Sequence, residues 1–197
     1  MSNLAIFASG TGSNAAKIIE YFREEPNIRV RLVVSNKATA PVLGLAERNG
    51  IESMVISRAG FYETETLLQE LGARNIDFIV LAGFLWLIPP YLVRAFAGRL
   101  VNIHPALLPK YGGKGMYGMN VHRAVKAAGE KETGITIHYV NERYDEGDAI
   151  FQARCTIDAG DSPEDIAHKV QVLEHEHFAP VIERLVSSGQ QNEPSNH

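Results

Sequence analysis

Asn102-Ile103-His104-Pro105 puts a carboxamide and an imidazole two residues apart at the end of a run that reads as a β-strand. Strand side chains alternate faces, so residues 102 and 104 emerge together, about 7 Å apart at Cα on a rise of about 3.3 Å per residue. Pro105 has no N–H to give a ladder, so the chain must leave the sheet there and the pair sits at its mouth. An amide donor beside a titratable ring suits a reaction that places negative charge on a carbonyl oxygen and moves a proton.

Three further groups could serve such chemistry. Gly10-Thr11-Gly12-Ser13-Asn14-Ala15 follows a first strand and opens a helix, where glycines permit the tight turn and free N–H groups favour an anion. It matches the dinucleotide pattern G-x-G-x-x-A, but that reading wants an acidic residue after strand two, and the chain has Ser35-Asn36-Lys37. A terminal phosphate held by Gly12, Ser13 and Asn14 is therefore favoured over a dinucleotide, with a plain βα turn capped by Ser13 as the alternative. Ala82-Gly83-Phe84-Leu85-Trp86-Leu87-Ile88-Pro89-Pro90 ends a strand with apolar residues that could form a slot for a flat heterocycle, or simply core under a helix start. Asp145 lies in a hairpin connection. If it met His104 it would raise the ring's pKa, though spacing alone does not join them.

Glu174 falls on the inward margin of a helix stripe formed by Ile166, Val170, Leu173, Phe178, Val181 and Leu185, with Gln171 one turn before it. Such a carboxylate either finds a donor network or reaches out to solvent. His122, His138, His168, His175 and His177 have no metal-ligand spacing, and each is expected to be solvated or locally bonded. No metal site is indicated.

The elements that must position these groups alternate from the start. Strands are expected near 3–8, 30–35, 53–56, 77–82 and 99–103, with helices near 13–24, 42–49, 62–73 and 90–95. A Gly-rich loop from Tyr111 to Gly118 then leads to a helix near 120–128 and two extended runs, Gly134–Val140 and Ala149–Ile157. Asp161-Ser162-Pro163 caps a long last helix to about Val186. The expected fold is α/β: a single doubly wound, mostly parallel, Rossmann-like sheet with an antiparallel hairpin at its C-terminal edge and a long C-terminal helix. One domain is expected over 1–186, followed by a polar, disordered tail over 187–197.

Bulk properties narrow the partners. A chain of 197 residues suits one domain, and a net charge of −4 gives no general attraction for nucleic acid or anionic membranes. No apolar run approaches the ~20 residues of a membrane span, and the start reads as a first strand instead of a signal peptide. The single Cys155 falls in an alternating run, reads as a packed strand residue, and is compatible with a reducing, cytoplasmic setting.

Together these motifs resemble the phosphoribosylglycinamide formyltransferase family. The resemblance covers roughly residues 3–186 and rests on Ser9-Gly10-Thr11-Gly12-Ser13-Asn14, Val33-Val34-Ser35-Asn36-Lys37, Leu81-Ala82-Gly83-Phe84, the segment from Asn102 to Lys110, Thr133-Gly134 with His138, Asp145, and Ala159-Gly160-Asp161-Ser162. It implies formyl transfer from 10-formyltetrahydrofolate, a co-substrate, to the amine of glycinamide ribonucleotide in purine synthesis. It implies that Asn102 and His104 flank the formyl carbonyl, Asp145 supports His104, and Gly12, Ser13 and Asn14 hold the phosphate. Gln171 and Glu174 would contact the glycinamide substrate, and Leu85, Trp86, Leu87 and Ile88 would line the folate pocket with Asn102. Leu108–Pro109 is implied to be a cis peptide. Two features depart from the pattern: Trp86 stands where some relatives have arginine, and the loop Gly112–Gly118 is several residues longer than the family's shorter form and reads as a lid.

Related formyl-handling enzymes share Asn102, His104 and Asp145 but are expected to carry more chain, an RNA-binding C-terminal domain in methionyl-tRNA formyltransferase and an N-terminal regulatory domain in formyltetrahydrofolate hydrolase. A non-catalytic nucleotide-binding module is the alternative from a different class. Either a monomer or a homodimer is compatible with the sequence.

Overall fold

The computed structural model describes residues 1–190, which form one seven-stranded sheet flanked by helices on both faces. In chain order the elements are β1 (Ser2–Phe7), α1 (Ser13–Tyr21), β2 (Ile28–Ser35), α2 (Pro41–Arg48), β3 (Glu52–Val55), α3 (Arg58–Tyr62) and α4 (Thr66–Ala73). There follow β4 (Phe78–Leu81), α5 (Pro90–Ala95), β5 (Leu100–His104), α6 (Met119–Ala127), β6 (Glu132–Tyr139), β7 (Ala149–Thr156) and α7 (Pro163–Gln190). Strand order is β3-β2-β1-β4-β5-β6-β7, parallel through β5 and antiparallel from β5 to β7. The expected fold class is the observed one.

Alternation along the central strands sends side chains into two cores. Leu4, Ile6 and Ala8 of the β1 segment face one core with Val80 and Phe178, while Ala5 and Phe7 face another with Ile79, Phe61 and Leu92. These strands are apolar on both sides because helices cover both faces. Strand order reverses between β1 and β4, so the chain segments leaving those two strands diverge and open a crevice at their carboxyl ends.

Two expectations need correction. The single helix expected over 62–73 is two helices, α3 and α4. The Ser57 hydroxyl accepts the Gly60 N–H and starts α3, and the Thr64 hydroxyl donates to the Gly60 carbonyl at its end. The last helix continues past Val186 to Gln190, so part of the expected tail is helical; residues 191–197 lie outside the described residues. The Gly112–Gly118 loop is joined to the β6–β7 connection through the Gly113 N–H, as described below.

The start of α7 is as expected. Ser162 accepts the Asp165 N–H at 3.1 Å while the Asp165 carboxylate accepts the Ser162 N–H at 2.9 Å, two helix-end donors satisfied reciprocally. Cys155 is half-buried on β7 and packs against the first core. No helix among the described residues is long and apolar enough to cross a membrane.

Candidate active site

The crevice at the sheet's reversal point is a cleft of about 760 Å³, walled by the turn after β1, the start of the β4–α5 loop, the end of β5, the Gly113–Met119 loop and the inner face of α7. The phosphate-type turn is built into it. Gly12, the residue before α1, has φ +79°, and a Cβ there would lie 2.6 Å from Val42 Cγ2 of α2. Only glycine meets both demands. The N–H groups opening α1 face the cleft without intrahelical partners, and Lys37 lines its rim.

Opposite this turn, α7 contributes the two residues singled out on it. Asn14 donates from Nδ2 to Glu174 Oε2 at 3.0 Å, and Gln171 Nε2 lies 3.4 Å from Ser13 Oγ. Burial raises the Glu174 carboxyl above the ordinary carboxylate range, and the Asn14 amide opposes that rise. Asn14 Oδ1 is buried with no partner of its own. Residues 160 positions apart in sequence thus form one polar wall.

At the cleft floor, β5 delivers Asn102 and His104 as the alternation required. His104 is 3% exposed. Its Nε2 lies 2.8 Å from the Tyr111 carbonyl and its Nδ1 3.5 Å from Asp145 Oδ2. A carbonyl can only accept, so Nε2 carries the proton of the neutral ring and Nδ1 is the nitrogen that titrates. His104 and Asp145 do pair, and the carboxylate pulls the ring's pKa upward as expected, but burial outweighs it and sets the net direction. Burial pushes His104 below the ordinary histidine value, and the Asp145 charge and the Tyr111 carbonyl recover only part of that.

Asp145 adopts φ +57° in the β6–β7 connection and accepts the Gly113 N–H on Oδ2 at 2.9 Å. Burial raises its carboxyl, but His138, His104 and the Gly113 amide together outweigh this and hold it below the usual value. Tyr111 and Gly113 therefore tether His104 and Asp145 to the start of the Gly-rich loop. Tyr111 is itself pinned, its hydroxyl donating to Glu130 at 2.9 Å. Leu108–Pro109 is cis, as the resemblance implied.

The residues of the β4–α5 loop divide. Leu85 lines the cleft, its N–H held by Ser9 Oγ at 3.0 Å. Trp86 packs beside it among Phe61, Tyr62 and Phe84, and the Leu87 carbonyl accepts the Tyr62 hydroxyl at 3.0 Å. Ile88 is 2% exposed in the second core and does not reach the cleft. The Arg58 guanidinium lies 5.3 Å from the Tyr62 ring centre and 5.9 Å from that of Trp86, so a cation flanks this loop.

Two residues set aside in the sequence belong to this neighbourhood. His138, 2% exposed, lies 3.0 Å from Asn102 Nδ2 through its Nε2 and 2.9 Å from the Tyr139 carbonyl through Nδ1. His122, 5% exposed, lines the cleft, and its Nδ1 is buried without a partner. The period of two along β6 could have flagged His138, but which strand residue it faces depends on register.

Residues 2–182 match the family model described as Formyl transferase. The chain is 43% identical over 186 residues to a chloroplastic phosphoribosylglycinamide formyltransferase of Arabidopsis thaliana, covering 91% of this chain and 63% of that protein. It is 38% identical over 185 residues to the phosphoribosylglycinamide formyltransferase of Escherichia coli strain K12, covering 91% of this chain and 85% of that one. Among solved structures, the phosphoribosylglycinamide formyltransferase of Bacillus halodurans superposes with a TM-score of 0.85 at 33% identity, covering 97% of this chain and 98% of that one. The chain thus spans less than two thirds of the plant relative's length.

Proposed function

The chain belongs to the formyl transferase family, and from that premise we propose that it moves a formyl group from 10-formyltetrahydrofolate to the amine of glycinamide ribonucleotide in purine biosynthesis. One observation carries the reading: Asn102, His104 and Asp145 meet at the floor of the cleft that also holds the Gly10–Asn14 anion turn. A phosphate on that turn and a formyl carbonyl over residues 102 and 104 would bring the substrate amine to the reacting carbon.

In this reading the N–H groups of Gly12, Ser13 and Asn14 take the phosphate, and Gln171 and Glu174 take polar groups of the ribonucleotide. Leu85 walls the folate ring, with Trp86 and Leu87 behind it, and Arg58 offers a positive charge to a carboxylated tail. As the amine attacks, a C–N bond forms and the formyl oxygen becomes an oxyanion, which accepts an N–H from Asn102. Nδ1 of the neutral His104 ring takes the amine proton, Asp145 stabilises the resulting imidazolium, and the ring then gives that proton to the departing folate nitrogen as its C–N bond breaks. A lowered pKa fits this cycle, since the ring starts neutral and releases its proton readily. A cytoplasmic location belongs to this reading, and the lone Cys155 is compatible with such a reducing compartment.

The test is to mix the protein with both substrates and follow the folate absorbance. Turnover that requires the amine supports the transferase. Turnover without the amine identifies a hydrolase, and no turnover together with tight dinucleotide binding identifies a nucleotide-binding module.

A further inference from the structure

We infer that His138 is a positioning residue: by accepting one N–H of the Asn102 carboxamide it fixes which end of that amide faces the cleft and leaves the second N–H for the formyl oxygen. The role assigned to the second N–H rests on the transfer reading above. The hydrogen-bond geometry behind the lock does not.

In the antiparallel β5–β6 register Asn102 lies directly opposite His138, so their side chains share a face of the sheet. The His138 ring is buried, and its Nδ1 sits 2.9 Å from the Tyr139 carbonyl oxygen. That oxygen can only accept, which places the proton of the neutral ring on Nδ1 and leaves Nε2 as a bare acceptor. Asn102 Nδ2 lies 3.0 Å from Nε2. The NH₂ end of the amide can occupy that position. The carbonyl end cannot, because two lone pairs would then face each other.

The second N–H of Asn102 has a weaker claim on it. It points to Asp145 Oδ1 at 3.4 Å, a long contact that an oxygen gaining negative charge in the cleft can displace. His138 itself does not line the cleft, whereas Asn102 does. Any influence of His138 on a ligand there passes through Asn102. Asp145 Oδ1 also stands 3.7 Å from His138 Nε2, so a second proton on the ring would favour the carboxylate and force the amide to turn its carbonyl inward. The Tyr139 carbonyl is held in place by close packing: a Cβ on Gly147 would lie 1.7 Å from it, and the Tyr139 N–H donates to Asp148 at 3.0 Å.

A double-mutant cycle on the full chain tests the proposal. His138→Ala should lower kcat by about 10- to 100-fold with KM for both substrates nearly unchanged, and in an Asn102→Ala background the same change should cost less than about 2-fold. His138→Gln, whose amide oxygen can stand in for Nε2, should keep most of the wild-type kcat. A His138→Ala loss that persists in full without the Asn102 amide overturns the proposal, as does a Gln variant as poor as Ala. Long-range ¹⁵N–¹H correlation on the unliganded protein at pH 7.5 supplies a readout free of activity. It should find His138 protonated on Nδ1 alone, and a proton on Nε2 overturns the lock. A wild type that fails to turn over the two substrates would sink the transfer reading instead, and the ring-proton measurement would still decide the lock.

Discussion

At the residue scale, the site depends on one imidazole whose two nitrogens have different duties. Because Tyr111 commits Nε2–H, only Nδ1 of His104 can exchange a proton with a ligand. His104→Ala is expected to lower kcat by about 10²–10⁴, the range typical of losing one general acid–base group, while binding of the ribonucleotide phosphate survives. Single-turnover rates and calorimetric titration of glycinamide ribonucleotide check both halves, and a rate near wild type would remove His104 from the chemistry. The pH profile carries a second expectation. Burial sets the His104 pKa below the ordinary histidine value and Asp145 partly restores it, so kcat should rise with pH through that lowered value. Asp145→Asn removes the restoring charge and should move this limb to still lower pH. A limb that stays where it was would mean the 3.5 Å pair does not couple.

At the scale of elements, the turn between β1 and α1 is the part least tolerant of change. Gly12→Ala must place a Cβ against Val42 in a left-handed conformation that costs an L-residue about 1–2 kcal/mol before any clash is counted. For a chain of this size that corresponds to a fall in Tm of at least about 2–4 °C, readable by thermal unfolding. The ribonucleotide should also bind more weakly, because the same backbone aims the N–H groups at its phosphate. An Ala variant with unchanged Tm and affinity would contradict the close α1–α2 approach. The α3–α4 region shows where a sequence pattern misled. Leu67 and Leu71 continue a helical stripe, yet the Ser57 cap and the Thr64 hydroxyl divide the segment into two short helices, a signal present in Ser57-Arg58-Ala59-Gly60 but overridden by periodicity.

For the whole molecule, buried histidines link stability to pH. His104 and His122 both titrate below their ordinary value because burial disfavours the charged ring. Their unfolded forms therefore bind protons first as pH falls from about 6.5, and the stability they allow at pH 7.5 is lost as pH drops through the folded values. Glu174 acts in the opposite sense, since its carboxyl is raised in the folded chain and gains a proton there before it does in the unfolded chain. Urea unfolding should thus give a lower free energy at pH 5.5 than at 7.5, and the drop should steepen in Glu174→Gln, which removes the opposing group. A flat or inverted dependence in that variant would show that the histidines are not buried as described.

The alternation of apolar runs with helical periods, the Pro105 stop, the glycine turn at 10–12 and the Ser162-Pro163 cap are local signals, written in covalent geometry and in which backbone groups each residue can satisfy. They determined the α/β class, the element order and the placement of Asn102 and His104 at a strand mouth without reference to any distant residue. Proximity across long separations was different. That Asp145 reaches His104, that Glu174 binds Asn14, that Ile88 turns into the core and that His138 faces Asn102 all follow from strand order, antiparallel register and helix packing. Burial then decided the direction of the His104 shift, because desolvation depends on everything packed around a ring and no spacing along the chain records it.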